Sequence, residues 1–224
     1  LTPQLAGGWQ RDEELWQLTA PFDLRPQGQD IIRTWLFSTM LRSTLEDSRS
    51  PWRNAAISGF IVDPDRKKMS KSKGNVVTPA DILETHGSDA VRYWAASSRL
   101  GMDAAFDPQN PTQVKIGRRL AIKVLNAAKF VLSFPVPEGA QVTHALDASM
   151  LTGLDAVIEE ATKAFENYDQ AKALEVTEAF FWTFCDDYLE LVKERAYTED
   201  VNDPARVSAV VAMRRAVDVM LRLF

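Results

Sequence analysis

Cysteine and long apolar runs are nearly absent from this sequence. Its 224 residues contain one cysteine, Cys185, so no disulfide can form within the chain, and a reducing compartment such as the cytoplasm is expected. Cys185 lies in an aromatic run with helical spacing, residues 180–185, which favours a thiol in the core. No apolar run is long enough to cross a bilayer and no signal peptide is present, so no membrane association is expected. The chain opens on Leu1 without an initiator methionine, which indicates a piece of a longer protein.

Acidic residues outnumber basic ones over the whole chain, but one segment carries basic residues and no acids. Lys and Arg number 26 against 31 Asp and Glu, and the net charge of −5 does not favour nucleic acid over the whole surface. Residues 108–137, however, contain no acid. At about 100° per residue, five basic residues there fall within roughly 140° of one helix face: Lys115, Arg118, Arg119, Lys123 and Lys129. This basic face is either the solvated side of an amphipathic helix or a stripe that contacts phosphates; because the other helices are acidic, it is the best candidate for binding RNA.

The most distinctive segment is the basic run at residues 66–73. Five of its eight residues are Lys or Arg and none is acidic. It follows an apolar run, residues 55–62, that predicts a buried strand, and a turn at residues 63–65. Ammonium groups, hydroxyl groups and a nearby glycine, Gly74, suit the binding of phosphate. A solvated Lys-rich loop is the plain alternative.

Two parts of different character meet near residue 108, where two prolines bound a turn. Residues 1–108 mix strand and helix signals: a helix at residues 29–45, the strand at 55–62, a helix capped by Thr78, and another capped by Ser88. Residues 109–224 predict four long helices at 112–133, 147–167, 170–197 and 204–223, and their short connections predict an antiparallel bundle. The expected fold class is mainly α with a small α/β part.

Several segments resemble one enzyme family. The string Lys68-Met69-Ser70-Lys71-Ser72 is identical to the signature of class I aminoacyl-tRNA synthetases. Residues 24–35, 57–62, 67–79 and 87–94 resemble the valyl-tRNA synthetases within that class, with the isoleucyl and leucyl enzymes as near competitors. The resemblance implies that residues 1–108 are the C-terminal half of a Rossmann-type catalytic domain and that residues 109–224 are a helical anticodon-binding domain.

The resemblance also implies an activity and its partners. Such ligases activate valine with ATP to valyl-adenylate and transfer the valyl group to tRNA(Val). Mg²⁺ would accompany the ATP, no protein-bound metal is expected, and the full-length protein would be a monomer in the cytoplasm. Lys68 and Lys71 match the family's loop lysines, which stabilise the triphosphate and the leaving pyrophosphate.

Further residues are implied to contact ATP. Met69, Ser70 and Ser72 belong to the same loop, and the serines can donate hydrogen bonds to phosphate. Gly28 and Asp30 resemble the family's second nucleotide motif, in which the glycine allows close approach and the carboxylate accepts hydrogen bonds from ribose; a helix N-terminal acid is the alternative for Asp30. The residues expected to lie against adenine are Ile61 and Val62.

The sequence departs from the family pattern in ways that limit the prediction. The family's paired ATP-binding histidines are missing, because the two histidines, His86 and His144, are far apart. The first half of the nucleotide fold, the editing domain and the C-terminal coiled coil have no counterpart here. The chain alone is therefore expected to be inactive. A non-catalytic helical module that binds tRNA or protein, and a piece of an isoleucyl-tRNA synthetase, stay open as alternatives.

Overall fold

The computed structural model describes residues 2–70, 72 and 74–224 and divides the chain into two compact units. The first unit comprises Leu1–Val76 and Arg99–Asp107, and the second comprises Val77–Ser98 and Pro108–Phe224. The boundary near residue 108 rests on the change in sequence pattern, and the division into two domains at that residue stays a prediction. Among the described residues, no helix combines the length and the apolar character needed to span a bilayer.

The first unit contains two small parallel sheets. It opens with helices α1 (Thr2–Ala6) and α2 (Glu13–Thr19), followed by strand β1 (Phe22–Gly28). β1 pairs with β2 (Trp52–Ser58) in a register that runs from Phe22 opposite Trp52 to Gly28 opposite Ser58. A second pair joins β3 (Ile61–Val62) to β4 (Ala104–Ala105). These two sheets are the small α/β part that the sequence predicts.

The predicted strand at residues 55–62 is wrong as one continuous element. It is divided between β2 and β3, with Gly59 and Phe60 outside both strands. A Cβ atom on Gly59 would collide with the backbone of Met102, so only glycine allows the two segments to approach this closely. The Phe60 N–H donates a 2.7 Å hydrogen bond to Oδ1 of Asp103, and the Phe60 carbonyl accepts one of 2.8 Å from Ala104. The chain therefore leaves one sheet and enters the other at this point.

The helix predicted at residues 29–45 is present but is not uniform. It begins with a 3₁₀ turn (Gln29–Ile31), continues as a π-helical segment (Ile32–Leu36) and becomes helix α3 (Phe37–Asp47). Ser48 ends it in the left-handed conformation at φ 53°. Asp30 therefore lies in the first turn after β1, at the carboxyl end of that strand.

Two short helices open the second unit, and both begin differently from the prediction. Helix α4 (Ala80–His86) has Pro79 at its cap position, so the predicted cap by Thr78 is wrong. Gly87, at φ 81°, ends α4, and helix α5 (Ser88–Ala96) follows at once. Ser88 is the first helical residue of α5, and its side chain makes no cap hydrogen bond. Gly87 is both the C-cap of α4 and the N-cap of α5, so the cap of α5 has no side chain.

The predicted bundle of four long helices is confirmed. Helix α6 (Thr112–Leu132) is followed by α7 (Ala145–Glu166), whose N-terminus is capped by Nδ1 of His144. The third predicted helix consists of α8 (Gln170–Thr183), a π-helical segment (Phe184–Tyr188) and α9 (Leu189–Ala196). Helix α10 (Pro204–Leu223) begins after Asp203, whose side chain accepts from the N–H of Arg206.

Among the described residues, the bundle has one large hydrophobic core cluster and a smaller one formed by Ala161, Ala164 and Ala173. The most deeply buried side chains of the large cluster come from α6 to α10 and are Val131, Leu154, Phe184, Val192, Val210 and Met213. Each buried side chain of this kind contributes about 1.5–3 kcal/mol by leaving water. Cys185 belongs to this core, as predicted, and burial raises the pKa of its thiol to about 11. The thiol is therefore protonated at neutral pH and unreactive.

Candidate nucleotide site and candidate RNA-binding face

Two predicted ATP residues from distant parts of the sequence lie together in the first unit. The Nζ atom of Lys68 is 3.5 Å from Oδ2 of Asp30, and it also lies 4.0 Å from the centre of the Phe60 ring. Asp30 is placed by the turn after β1, and Lys68 by the loop after β3. Both side chains are about half exposed, so the ion pair contributes little stability and can exchange partners readily.

Gly28 lies at the end of β1, directly before this pair. A Cβ atom on Gly28 would be 2.8 Å from Oδ1 of Asp30, so any larger residue would displace that carboxylate. The Gly28 backbone is held by its pairing with Ser58 in β2. The predicted motif at residues 28–30 is therefore compact, with its acidic group just after the carboxyl end of β1.

Strand β3, in the other small sheet, presents its two residues differently. The side chain of Ile61 is 51% exposed, whereas that of Val62 is only 4% exposed and belongs to the interior of the unit. The Val62 carbonyl already accepts a hydrogen bond from the N–H of Phe106. The contact with adenine stays a prediction for both residues, and only Ile61 offers an accessible apolar side chain for it.

The basic loop leaves β3 through a tight turn and returns at Asn75. The N–H of Asp63 donates to the carbonyl of Lys67 (2.9 Å), and the N–H of Lys67 donates back to Oδ1 of Asp63 (2.8 Å). Ser70 donates its N–H to Oδ1 of Asn75 (2.9 Å), and its hydroxyl lies 3.3 Å from that of Ser72. Ser70 and Met69 are half-buried, whereas Ser72 is exposed. The predicted residue Lys71 lies outside the described residues.

Asp103 is a residue of this site that the sequence does not indicate. Its Oδ1 accepts from the N–H of Phe60 (2.7 Å) and from Nε2 of Gln29 (3.3 Å). It therefore holds the start of β3 next to the turn that carries Asp30. Nothing marks it in the sequence, because its partners come from two remote segments.

The predicted basic face of the second unit exists, but its members have different surroundings. Lys115 lies 3.3 Å from Oδ1 of Asn110, and Nη1 of Arg118 donates a 2.7 Å hydrogen bond to the carbonyl of His86 at the end of α4. That carbonyl is at a helix C-terminus, where a cation is favoured. Lys129, nearer the end of α6, is exposed.

The remaining two members interact with α8 and with the π-helical segment that follows it. The Arg119 guanidinium lies 5.4 Å from the centre of the Trp182 ring, and Nζ of Lys123 lies 3.4 Å from Oδ1 of Asp186. Lys115, Arg118, Arg119 and Lys123 line a groove of about 610 Å³. The structure thus brings four of the five predicted residues into one open, cationic groove.

The sequence matches known families in both parts. Residues 3–107 match the family of tRNA synthetases class I (I, L, M and V), and residues 147–224 match the anticodon-binding domain of tRNA ligases. The whole chain is 73% identical to the valine–tRNA ligase of Leifsonia xyli subsp. xyli and 60% identical to that of Thermobifida fusca. It spans 26% and 25% of those relatives, about a quarter of their length.

Solved structures show the same fold. Mycobacterium tuberculosis methionyl-tRNA synthetase in complex with methionyl-adenylate matches 95% of the chain with a TM-score of 0.73 and 24% identity, over 43% of its own length. The ternary complex of Agrobacterium radiobacter K84 agnB2 LeuRS with tRNA and LeuAMS matches 94% with a TM-score of 0.65 and 17% identity, over 27% of its length. Together with the two family matches, this fold confirms the predicted combination of a class I catalytic-fold remnant and a helical anticodon-binding domain.

Proposed function

Because the chain belongs to the valine–tRNA ligase family of class I aminoacyl-tRNA synthetases, we propose that it supplies part of the ATP site and the tRNA-binding helices of such an enzyme. The complete ligase activates L-valine with ATP and transfers the valyl group to tRNA(Val). It acts as a monomer in the cytoplasm, and this chain by itself does not catalyse either step. The observation that carries the proposal is the meeting of Lys68 and Asp30 at the ends of β1 and β3.

The first step requires charge neutralisation more than proton transfer. A carboxylate oxygen of valine attacks the α-phosphorus of ATP, the bond from that phosphorus to the β-phosphate oxygen breaks, and pyrophosphate leaves with the electron pair. The attacking carboxylate is already ionised, so no general base is needed. The ammonium groups of Lys68 and Lys71 stabilise the charge that accumulates on the leaving pyrophosphate. Mg²⁺ enters as part of the nucleotide substrate.

The other predicted residues position the nucleotide. The Asp30 carboxylate accepts hydrogen bonds from the ribose hydroxyls, and Gly28 leaves the space for their approach. Ile61 contacts the adenine with its exposed side chain, while the buried Val62 holds strand β3 in place. Met69, Ser70 and Ser72 complete the loop around the phosphates. When ATP enters, Lys68 exchanges Asp30 for phosphate, which is inexpensive because both side chains are half exposed.

The second step transfers the valyl group to the terminal ribose of the tRNA. A ribose hydroxyl attacks the carbonyl carbon of the adenylate, and AMP leaves. The second unit contributes binding: Lys115, Arg118, Arg119, Lys123 and Lys129 contact tRNA phosphates across the groove on α6. Such contacts position the RNA without reading its sequence.

Valine-dependent exchange between ATP and pyrophosphate tests the proposed function. A ligase of the relatives' full length that carries this segment should exchange labelled pyrophosphate into ATP with valine. With isoleucine the rate should be lower by about 10- to 200-fold, because one methylene more than the valine pocket fits costs only a modest amount of binding energy. Exchange that is equally fast without an amino acid, or faster with isoleucine, would contradict the assignment.

A further inference from the structure

We propose that Asn75, with Asp63 as its partner, is a positioning residue that closes the base of the ATP-binding loop and sets the backbone at Ser70. This inference rests on the proposed function, since it concerns the same loop. Asn75 follows the lysine-serine signature, and Asp63 precedes it. Asp63 lies where the loop leaves the body of the first unit, and Asn75 lies where the loop returns to it.

Asp63 fixes the outgoing side of the loop. Besides its two hydrogen bonds with the backbone of Lys67, its carbonyl accepts from the N–H of Arg66 (2.9 Å). Arg66 adopts φ 60°, a left-handed conformation that suits a tight turn. One oxygen of the Asp63 carboxylate is thus committed to the turn, and the other faces Asn75.

Asn75 connects that turn to the signature. Its Nδ2 donates to Oδ2 of Asp63 (2.8 Å) and lies 3.5 Å from the carbonyl of Lys68, while its Oδ1 accepts from the N–H of Ser70 (2.9 Å). One side chain therefore bridges the outgoing turn and the middle of the loop. An amide can donate and accept in this way, whereas a carboxylate accepts only and an ammonium donates only.

The charge state of Asp63 agrees with this arrangement. The hydrogen bond from Asn75, followed by that from the backbone of Lys67, lowers the pKa of the Asp63 carboxyl below its ordinary value. The ionised carboxylate is a pure acceptor, so it requires a donor at Asn75. The amide orientation is therefore determined, with Nδ2 towards Asp63 and Oδ1 towards Ser70.

The consequence for catalysis is geometric. Ser70 comes two residues after Lys68, so anchoring its N–H limits where the Lys68 ammonium group can be presented relative to Asp30. Placing charged groups before the substrate arrives removes a reorganisation cost from the reaction. Asn75 itself contacts no reacting atom and acts through the loop.

An exchange of the two residues gives a sharp test in the full-length ligase that carries this segment. Asn75→Asp places two carboxylates face to face, and Asp63→Asn places two amide donors face to face. Each single variant should lower kcat for valine-dependent pyrophosphate exchange by about 10- to 100-fold, the cost of a small displacement of catalytic groups. In the double variant D63N/N75D a donor again faces an acceptor. The amide introduced at position 63 faces the carboxylate introduced at position 75, whose second oxygen still accepts from Ser70.

We expect kcat of the double variant to recover to within about threefold of wild type, because the hydrogen bond and the loop geometry are restored together. Transfer of valine from preformed adenylate to tRNA should change little in all three variants. The matched control is Asn167→Asp at the end of α7, where Nδ2 donates to the carbonyl of Lys163 (2.7 Å), because it makes the same atomic change away from the loop. Its exchange rate should equal that of wild type.

The outcomes separate the two proposals. A wild-type enzyme without valine-dependent exchange would refute the proposed function, and this inference with it. An active wild type with single variants at full rate, or a double variant as slow as the singles, would refute the positioning role alone. Equal losses in exchange, transfer and melting temperature would show that Asn75 only stabilises the fold, and would also overturn the proposal.

Discussion

At the scale of single residues, Asp147 is a buried carboxylate of the second unit that depends on several hydrogen-bond partners. It is fully buried, and its carboxylate accepts two hydrogen bonds from Arg195 (2.7 and 3.0 Å), one from Tyr188 (2.8 Å) and one from Ser208 (2.6 Å). The Ser208 oxygen in turn accepts from the N–H of His144, so the network anchors the start of α7 to α10. Burial acts to raise the pKa of Asp147, but the hydrogen bonds from Arg195, Ser208 and Tyr188 outweigh it and lower the pKa.

Asp147→Asn should therefore destabilise the chain strongly at neutral pH. Losing one partner of a buried pair costs about 3–5 kcal/mol, because the charge of Arg195 is left uncompensated. A lowered folded pKa contributes stability above the unfolded value of about 3.9, and this is lost as the pH falls through the folded value. Urea unfolding should show a large gap between wild type and variant at about pH 7 that narrows at about pH 3.

The control for this prediction is Asp218→Asn in α10. Asp218 pairs with Arg222 on the exposed face of the helix, and such pairs contribute about 0.2–0.5 kcal/mol. A destabilisation as small for Asp147→Asn as for this control, or a gap that widens in acid, would contradict the role given to the buried network.

At the scale of elements, the long helices could be predicted from the sequence, whereas β2 and β3 are predicted only as one continuous strand and β1 and β4 are not predicted. The spacing of apolar residues that predicts α6, α7 and α10 lies within each helix. The predicted ends of these helices are therefore within a few residues of the observed ones. Strand β1 gives no clear signal because it contains Pro26, which lacks a donor and usually argues against a strand. The break at Gly59 depends on the backbone of Met102, a contact between remote segments that leaves no local signal. The same holds for Asp103, whose partners lie elsewhere in the chain.

Helix α6 is the element whose proposed role is most directly measurable. Lys115 and Arg118 are held by neutral oxygens and can transfer to phosphate, whereas Lys123 already pairs with a carboxylate. Binding of the purified chain to a tRNA(Val) transcript should weaken in the double variant K115Q/R118Q. The slope of log affinity against log salt should also become shallower, by about 0.7–0.9 for each phosphate that the variant no longer neutralises.

Arg222→Gln is the matched control for that measurement, because it removes one exposed arginine from a different helix of the same unit. Its salt slope should equal that of wild type. An unchanged slope in K115Q/R118Q would mean that the groove on α6 does not contact phosphates, and that the basic face is only the solvated side of an amphipathic helix.

At the scale of the whole molecule, the proposed function places ATP binding in the first unit and tRNA binding in the second. The loop after β3 and the turn after β1 belong to the first unit, and the groove on α6 belongs to the second. The two family matches follow the same order along the chain: the class I synthetase match covers residues 3–107 and the anticodon-binding match covers residues 147–224. If this division of roles is right, a loop lysine can be removed with little effect on RNA binding.

Lys71→Ala in a full-length ligase that carries this segment tests the division most directly. Valine-dependent pyrophosphate exchange and tRNA(Val) affinity would be measured on the same preparation. We expect exchange to fall by about 10²- to 10³-fold, the usual cost of losing one group that stabilises transition-state charge, and tRNA affinity to stay near that of wild type. A comparable decrease in tRNA affinity, or exchange at the wild-type rate, would contradict the assignment of the loop to ATP and of the helices to RNA.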